Sequence, residues 1–418
     1  MKPAYKLYVG IDWASQLHEV CVLDSAGEVL ARRTIAHRAE GIAELQRWLC
    51  ELADGQVSEV AVAIEVPRGA LVEALEEMGA HVYHVNPKQL DRMRDRYSSS
   101  GAKDDRRDAL VLADSLRLNE RFFRRVHIDD PRIVELREIG RLEAQLTEER
   151  TRLSSRLREL LNRFWPALLA LSDGDNDCWL WSLLELAPTP EKARRLRLPQ
   201  LADLLRKHRI RRFDSVKLHA TLQQPPLPVS AGTIEAASLH LRLVVEQLRL
   251  VERHKRECCR RLDAILEKLC PQTGEEGKPP KHRDVEILCS MPGVGRFVAA
   301  AVLGEAGQLI ANRDYYQLRS QAGIAPVTRR SGKSTRVSMR RACNHRLRNA
   351  LHHWSQCSLS LDPRSRALYD RLRQRGHGNA RALRSLADRH LRVLMAMLRD
   401  QRFYDPQRAT PVTAADGA

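Results

Sequence analysis

The sequence predicts a protein of class α/β plus α, and three patterns along its 418 residues carry this prediction. Residues 6–126 alternate short apolar strands with helical segments. Residues 131–170 and 234–270 repeat apolar side chains every three or four positions, and residues 286–400 have a mostly helical and very basic pattern. A chain of this length holds two or three domains with ample apolar core.

Residues 6–126 contain short segments with the apolar pattern of strands and others with the apolar spacing of helices. Strand patterns occur in KLYVGID, in HEVCVLDSAGEVLARRTIAH (two strands around the turn SAGE), in VAVAIE and in HVYHVNP. Helical spacing occurs in EGIAELQRWLCELA and GALVEALEEMGA. A hairpin followed by strand–helix units predicts a mixed sheet covered by helices.

The middle of the chain predicts two long amphipathic, coiled-coil-like helices. They either pair within one chain or form a dimer seam. Their apolar positions are Ile139, Leu142, Leu146, Leu153, Leu157, Leu160, Phe164, and then Leu241, Val244, Leu248, Val251, Cys258, Leu262, Ile265 and Leu269. The linker-like segment PQTGEEGKPPKHRD predicts a boundary near residue 285. We therefore expect domains at 1–126, 127–285 and 286–402, with a disordered tail at 403–418.

The charge balance points to a polyanionic partner. Lys and Arg outnumber Asp and Glu by 17, and the pI is about 9.8. The chain has no apolar run of 18 residues and no signal peptide, which argues against a membrane protein. Aromatic residues make up only 5%, so phosphate contact is favoured over base stacking. Nine scattered cysteines without a C-x-x-C pair indicate free thiols in a reducing cytoplasm.

Four carboxylates stand at positions that predict a metal site. Asp12 and Glu65 each end an apolar strand, while Asp105 and Asp108 share one helix face. Together they could hold a pair of Mg²⁺ (or Mn²⁺) ions about 3.5–4 Å apart, which stabilise phosphoryl transfer. In the simpler alternative, Asp104 and Asp105 favour the helix start and Asp108 is a surface acid.

A serine inside a basic run is a second candidate. The segment RRSGKST resembles the end of a P-loop, but Val327 stands where the first glycine is required, so no nucleotide chemistry is indicated. Ser331, which precedes Gly332 among cations, could attack a phosphodiester. Alternatively, it is a loop serine that only caps or contacts phosphate.

Basic residues and two glycines predict contacts with nucleic-acid phosphates. The glycines are Gly293 and Gly295 of MPGVGRFVAAAVLGE, which fits a helix-hairpin-helix or a plain packing turn. The run from 329 to 348 holds no acid, and its cations are Arg329, Arg330, Lys333, Arg336, Arg340, Arg341, Arg346 and Arg348.

These segments together resemble a known family. YVGIDWAS, AIEVPRGALVEAL, VNPKQL and SGAKDDRRDA resemble, in order, the RuvC-like (RNase-H-like) domain of DEDD-type insertion-sequence transposases, the family of Piv-like invertases and bridge-RNA-guided serine recombinases. MPGVGRFVAAAVLGEAG, QLRSQAGIAPVTRRSGKS and NHRLRNAL resemble its C-terminal transposase domain. The central helical region is weakly covered.

The resemblance implies roles for individual residues. The acidic tetrad of the family falls on Asp12, Glu65, Asp105 and Asp108, and its nucleophilic serine falls on Ser331. Asp104 stands where many members have Thr, which makes it a neighbour of the metal site. The chain departs from the family at Val66-Pro67, which replace Thr-Gly, and at Cys343, which replaces the Gly before Asn344.

The resemblance also implies a mechanism. The tetrad would bind Mg²⁺ (or Mn²⁺) and activate a scissile phosphate, and Ser331 would form a phosphoserine link that permits rejoining without ATP. The acidic site of one subunit would complete the serine site of another, which requires a dimer or tetramer. A structured bridge RNA would pair with donor and target DNA in the bacterial cytoplasm, at the nucleoid.

Two other functions remain open from the sequence. A RuvC-like metal-dependent endonuclease or Holliday-junction resolvase would use water in place of Ser331. A catalytically silent nucleic-acid-binding protein would use neither site.

Overall fold

The computed structural model describes residues 5–67, 69–85, 87–95, 104–126, 130–172, 174, 177–269, 283–332 and 334–407. These residues form two compact units, which divide between Asp130 and Pro131. The eight cysteines within the described ranges are free thiols. None of the described helices combines the length and the apolar character needed to cross a membrane.

The first unit contains a mixed sheet, as the sequence predicted. Its strands are β1 (Leu7–Asp12), β2 (Leu17–Asp24), β3 (Val29–Ala36), β4 (Val60–Ile64), β5 (His81–His84) and β6 (Arg124–Arg125). Their order across the sheet is β3-β2-β1-β4-β5-β6. The β1–β4 and β4–β5 pairs are parallel, and the other pairs are antiparallel.

Helices cover both faces of this sheet. They are α1 (Ala39–Leu52), α2 (Ala70–Glu77), α3 (Pro87–Arg94) and α4 (Asp105–Asn119), with 3₁₀ turns at Val57–Glu59 and Glu120–Phe122. Large side chains such as Val62 and Ile64 face the core that holds α1 and α2, whereas the small Ala61 and Ala63 face α4. This division follows from the alternation of side chains along a strand.

Gly10 allows α4 to lie directly against β1. A Cβ placed on Gly10 would lie 1.9 Å from the carbonyl oxygen of Ala109 and 2.6 Å from the amide nitrogen of Ala113. Any other residue at position 10 would therefore force the helix backbone away from the strand.

The second unit is mostly helical. Its helices are α5 (Pro131–Phe164), α6 (Cys178–Leu186), α7 (Pro190–Arg194), α8 (Leu198–Lys207), α9 (Ser215–Gln223), α10 (Ala231–Leu269), α11 (Arg283–Cys289), α12 (Arg296–Ala311), α13 (Tyr315–Gln321), α14 (His345–Leu361), α15 (Pro363–Gln374) and α16 (Asn379–Asp400). A 3₁₀ turn spans Pro166–Leu171. A hairpin of β7 (Val327–Ser331) and β8 (Ser334–Ser338) interrupts the helical pattern.

The two long helices α5 and α10 pair within one chain, which is one of the two arrangements that the sequence left open. Leu153, Leu157 and Leu160 of α5 share a core with Leu241 and Leu248 of α10. This core also takes in α6, α8 and α9. The other ends of α5 and α10 share a second core with α11, α12, α14 and α16.

The start of the predicted tail packs against the C-terminal helices. The guanidinium of Arg283 lies 4.0 Å from the ring centroid of Phe403, and the Tyr404 amide donates to Ser290 Oγ at 3.0 Å. Residues 408–418 of that tail, and 271–282 of the predicted linker, lie outside the described residues.

A buried histidine in the second core is held neutral. His390 stacks on Trp354 with ring centroids 4.9 Å apart, and its Nε2 lies 3.2 Å from Ser365 Oγ. Because Ser365 Oγ donates to Asp362, it accepts from His390, and Nδ1 is left without a partner in the described structure. Burial lowers the pKa of His390 to about 4, with Arg389 lowering it and Asp362 opposing the shift.

We predict that this unit loses stability between pH 6.5 and pH 4 through His390. There the unfolded chain binds a proton at this ring and the folded chain does not, so the free energy of unfolding falls as the pH falls. The expected loss at pH 5 relative to pH 7.5 is about 2 kcal/mol. Urea denaturation of wild type and His390→Phe at both pH values tests this, and an equal pH dependence in the two proteins would contradict it.

We predict that Gly10→Ala separates α4 from β1. The clash with a helix backbone cannot be relieved by a side-chain rotation, so a destabilisation of about 1–3 kcal/mol is expected. Hydrogen exchange should accelerate in β1 and α4 peptides and stay unchanged in α14. Gly232→Ala is the control, because its Cβ meets nothing within 4 Å. Unchanged protection of β1 and α4 in Gly10→Ala would show that the contact is dispensable.

Candidate functional site

Two of the predicted acidic residues are neighbours at one edge of the sheet. Asp12 is the last residue of β1, and Glu65 follows directly after β4. Since Ile11 pairs with Ile64 in this parallel pair, the next two positions stand side by side, about 4.8 Å apart between strands. Both side chains are half-buried.

The first turn of α4 lies at the same edge. Gly10, two residues before Asp12, is the point where α4 touches β1. Arg106, in the first turn, has its Nε 3.8 Å from Glu19 Oε2, and Glu19 is the cross-strand partner of Asp12. The backbone topology thus brings Asp105 and Asp108 toward the strand ends.

The acidic residues of α4 have three different environments. Asp104 is the N-cap, and its side chain accepts from the Arg106 amide at 3.1 Å. Asp105 is exposed, whereas Asp108 is only 2% exposed. The simpler alternative from the sequence is therefore correct for Asp104, which caps α4. It is wrong for Asp108, which is buried and is not a surface acid.

Arg94 of α3 binds Asp108 with two hydrogen bonds. Its Nε lies 2.8 Å from Oδ1 and its Nη2 lies 2.9 Å from Oδ2, while Nη1 contacts Asp91 at 2.7 Å. Burial favours the neutral form of Arg94, but the bonds to both carboxylates leave its pKa raised. Arg94 was not predicted from the sequence, although a buried carboxylate requires a cationic partner or a metal.

The carboxylates fit a divalent ion by their chemistry, since all are hard oxygen donors at adjoining strand and helix ends. Within the described ranges, no group of three or more His, Cys, Asp or Glu side chains is arranged to hold a metal ion. Asp108 is instead engaged by Arg94.

A histidine pair fixes the loop that follows Asp12. His18 is fully buried, its Nδ1 accepts from the Ala14 amide at 3.3 Å, and its Nε2 lies 2.9 Å from His37 Nδ1. Burial and the neighbouring His37 lower the pKa of His18. The neutral ring suits acceptance from Ala14. This pair was not singled out in the sequence, where lone histidines carry little signal.

Ser331 ends β7 at the tip of the exposed β7–β8 hairpin. It pairs with Ser334, and Gly332 between them has φ +53. Lys333, the other turn residue, lies outside the described residues. A two-residue turn needs positive φ, which explains the glycine.

The hairpin register places two arginines on the face that carries Ser331. Arg329 stands opposite Arg336, two positions from the Ser331–Ser334 pair, while Arg330 stands opposite Thr335 on the other face. Like charges directly opposite each other destabilise a hairpin, so an anion bound between the arginines would stabilise it.

Of the two glycines in the predicted turn, Gly293 is packed against α14 and Gly295 has no neighbour on the side of a Cβ. Gly293 has φ +86, and a Cβ there would lie 2.9 Å from the Ser358 amide nitrogen of α14. Trp354 Nε1 donates to the Pro292 carbonyl at 3.0 Å, which fixes this packing. Gly295, the N-cap of α12, has no neighbour of this kind within 4 Å.

The segment after the hairpin is anchored by Asn344. Its side chain caps α14 at the Leu347 amide and donates to Glu305 Oε2 at 2.8 Å. Burial alone would raise the pKa of Glu305, but hydrogen bonds from Arg141 and Asn344 lower it overall. The Cys343 thiol fills the space beside Gly323, so the helix start forms without a glycine at 343.

The remaining predicted cations surround this helix start. Arg341 and Arg346 are exposed, while Arg340 and Arg348 are partly buried. Arg340 Nε lies 3.4 Å from the Ala325 carbonyl, and Arg348 Nη2 lies 2.9 Å from His345 Nδ1. The exposed guanidinium groups leave a basic surface beside the hairpin.

Two family models match this chain. Residues 9–166 match the DEDD transposase model of IS110 type, described as "Transposase", and residues 285–370 match "Transposase IS116/IS110/IS902 family". A DEDD transposase domain implies a RuvC-like fold and dependence on a divalent metal, and the mixed sheet agrees with that fold.

Two relatives extend the similarity over nearly the whole chain, and a third covers half of it. The "Mini-circle putative transposase for IS117" of Streptomyces coelicolor is 33% identical over 410 residues, covering 96% of each chain. A 44.8 kDa protein of insertion element IS116 from Streptomyces clavuligerus is 31% identical and covers 98% of each chain. "Putative transposase y4uE" of Sinorhizobium fredii is 47% identical over 209 residues, 50% of this chain and 58% of that protein.

The matched regions contain both candidate sites, since the carboxylates lie within residues 9–166 and Ser331 lies within residues 285–370. The chain belongs to the IS110/IS116/IS902 family of transposases.

Proposed function

We propose that this transposase cuts and rejoins DNA through a phosphoserine intermediate, at a site that combines Ser331 with four carboxylates. The observation that carries the proposal is the meeting of the β1 end, the β4 end and the first turn of α4 at one edge of the sheet. Asp12, Glu65, Asp105 and Asp108 all belong to these three segments.

These carboxylates would hold Mg²⁺ (or Mn²⁺), which supplies charge neutralisation at the scissile phosphate when bound. Arg94 occupies one lone pair on each oxygen of Asp108, so the metal would bind the remaining lone pairs or displace the guanidinium. A displaced guanidinium would suit bidentate binding of phosphate. In this proposal Asp104 is not a metal ligand and continues to cap α4.

Ser331 is proposed as the nucleophile. Its Oγ forms a bond to phosphorus and loses its proton, while the bond from phosphorus to one strand oxygen breaks and that oxygen takes up a proton. Arg329 and Arg336, on the same hairpin face, stabilise charge on the phosphate. Attack by a strand oxygen on the phosphoserine reverses the step, so rejoining requires no ATP.

The proposed site is shared between chains. Residues 327–338 contain no Asp, Glu or His, so the hairpin itself supplies no general base for Ser331. The carboxylates belong to the first unit and Ser331 to the second. We propose that the tetrad of one chain serves Ser331 of another within a homodimer or tetramer.

The proposed guide is a structured RNA that pairs with donor and target DNA. The protein then needs to grip phosphates more than to read bases, which agrees with its net charge of +17 and 5% aromatic content. The residues proposed to do so are Gly293, Gly295, Arg329, Arg330, Lys333, Arg336, Arg340, Arg341, Arg346 and Arg348.

We predict that Asp105→Asn abolishes strand cleavage and leaves DNA binding largely intact, because it removes a metal ligand and keeps the helix. Asp104→Ser is the matched control, since serine preserves the N-cap and removes the adjacent carboxylate. Cleavage of a supercoiled donor with Mg²⁺ is the measurement. Near-normal cleavage by Asp105→Asn, or equal losses in both variants, would refute the assigned roles.

We predict that DNA stays attached to the denatured wild type but not to denatured Ser331→Ala. Ser334→Ala is the matched control and should retain attached DNA, because it removes the hydroxyl of the cross-strand neighbour and keeps the nucleophile. Mixing Ser331→Ala with Asp105→Asn chains should restore part of the activity, because a mixed oligomer pairs one intact serine with one intact tetrad.

Three outcomes would contradict parts of this proposal. Attachment that survives Ser331→Ala rejects this nucleophile, and undiminished cleavage by Ser331→Ala without attachment favours the endonuclease or resolvase alternative. If confirmed mixed oligomers stay inactive, each chain builds its own site.

A further inference from the structure

We propose that a basic groove in the central helical region binds the phosphate backbone of duplex DNA. The groove lies between α8 and α9, has a volume of about 860 Å³, and carries Arg206, Arg211 and Lys217 at its edge. The groove has no role in the proposed function. Its assignment rests on that function only in assuming that DNA is the substrate.

The chain concentrates positive charge around this groove. Residues 206–217 hold six Lys or Arg and a single acid, Asp214, whose carboxylate caps α9 at the Lys217 amide, 2.8 Å away. Arg212 is used internally, because it donates to the Leu171 carbonyl at 2.7 Å and to Asp177 at 3.1 Å. The other five cations are exposed, and Arg206 also pairs with Asp203 of the same helix.

Two of these cations occupy positions that the fold itself disfavours. Arg209 has φ +54 at the end of α8, where glycine is the usual residue. Lys217 lies in the first turn of α9, near the positive end of the helix dipole. The backbone conformation therefore disfavours Arg209, although its charge suits the C-terminal end of a helix, whereas the helix dipole disfavours the charge of Lys217. A bound anion would offset the cost of placing Lys217 there.

The groove suits a duplex backbone better than unpaired bases. Its floor is apolar, with Leu205, Ile210 and Phe213. Phe213 is buried and packs edge-on against Trp179, with ring centroids 5.3 Å apart. The residues that line the groove thus offer no exposed aromatic ring for base stacking, which single-strand binding uses. Regularly spaced phosphates of a duplex match exposed cations.

The test compares two variants of equal charge change in the full-length chain. The groove variant is Arg206→Gln, Arg211→Gln and Lys217→Gln, and the control is Lys192→Gln, Arg195→Gln and Arg197→Gln, three exposed cations of the same region outside the groove. Anisotropy with a short duplex DNA, without divalent metal, gives affinity between about 50 and 200 mM salt.

The groove variant should bind roughly tenfold more weakly, and its salt slope should fall by about 0.9 for each phosphate that the protein no longer neutralises. The control should stay close to wild type. Arg209→Gly should also weaken binding while leaving the melting temperature unchanged or higher, which separates the effect of the charge from an effect on folding.

An unchanged slope in the groove variant, or an equal loss of affinity in the control, would overturn the proposal. Loss of duplex RNA binding with duplex DNA binding retained would assign the groove to RNA instead. Serine-linked attachment is measured in parallel with saturating DNA and Mg²⁺. If wild type fails to attach while the salt slope falls as expected, the proposed function fails and the groove assignment stands.

Discussion

The approach of α4 to β1 at Gly10 is the constraint on which the candidate metal site depends. Because position 10 has no Cβ, the helix backbone at Ala109 reaches the strand, two residues before Asp12. The parallel pairing of β1 and β4 then adds Glu65 at the same edge. One backbone contact and one strand register therefore place the ends of β1 and β4 and the start of α4 at the same edge of the sheet, although Asp12 and Asp105 are more than ninety residues apart in sequence.

Two arrangements of charge lie at the proposed sites. Asp108 is buried and paired with Arg94, which offsets the cost of burying a carboxylate. Arg329 and Arg336 face each other across an exposed hairpin. Under the proposed function, a metal would approach Asp108 and a phosphate would lie between Arg329 and Arg336.

The two proposed sites lie in different units of the chain and are held by different kinds of structure. The carboxylates rest on a packed sheet and helix, whereas Ser331 stands at the tip of a hairpin whose strands are largely exposed. In the assembly proposed above, these two sites would come from different chains. The central helices, with their own core and basic groove, add a surface that neither site requires.

The sequence by itself determined strands β1 to β5 of the first unit, the placement of Asp12 and Glu65 at the ends of apolar strands, and the basic run around Ser331, because apolar periodicity and charge are local properties. The β7–β8 hairpin escaped prediction, since polar strands such as VTRRS and STRVS carry no apolar alternation. The pairing of α5 with α10 stayed open because an amphipathic stripe fits a neighbour from either the same or another chain. Only the tertiary structure joined Arg94 to Asp108 and gave Gly10 its role, because both depend on where one helix crosses another element.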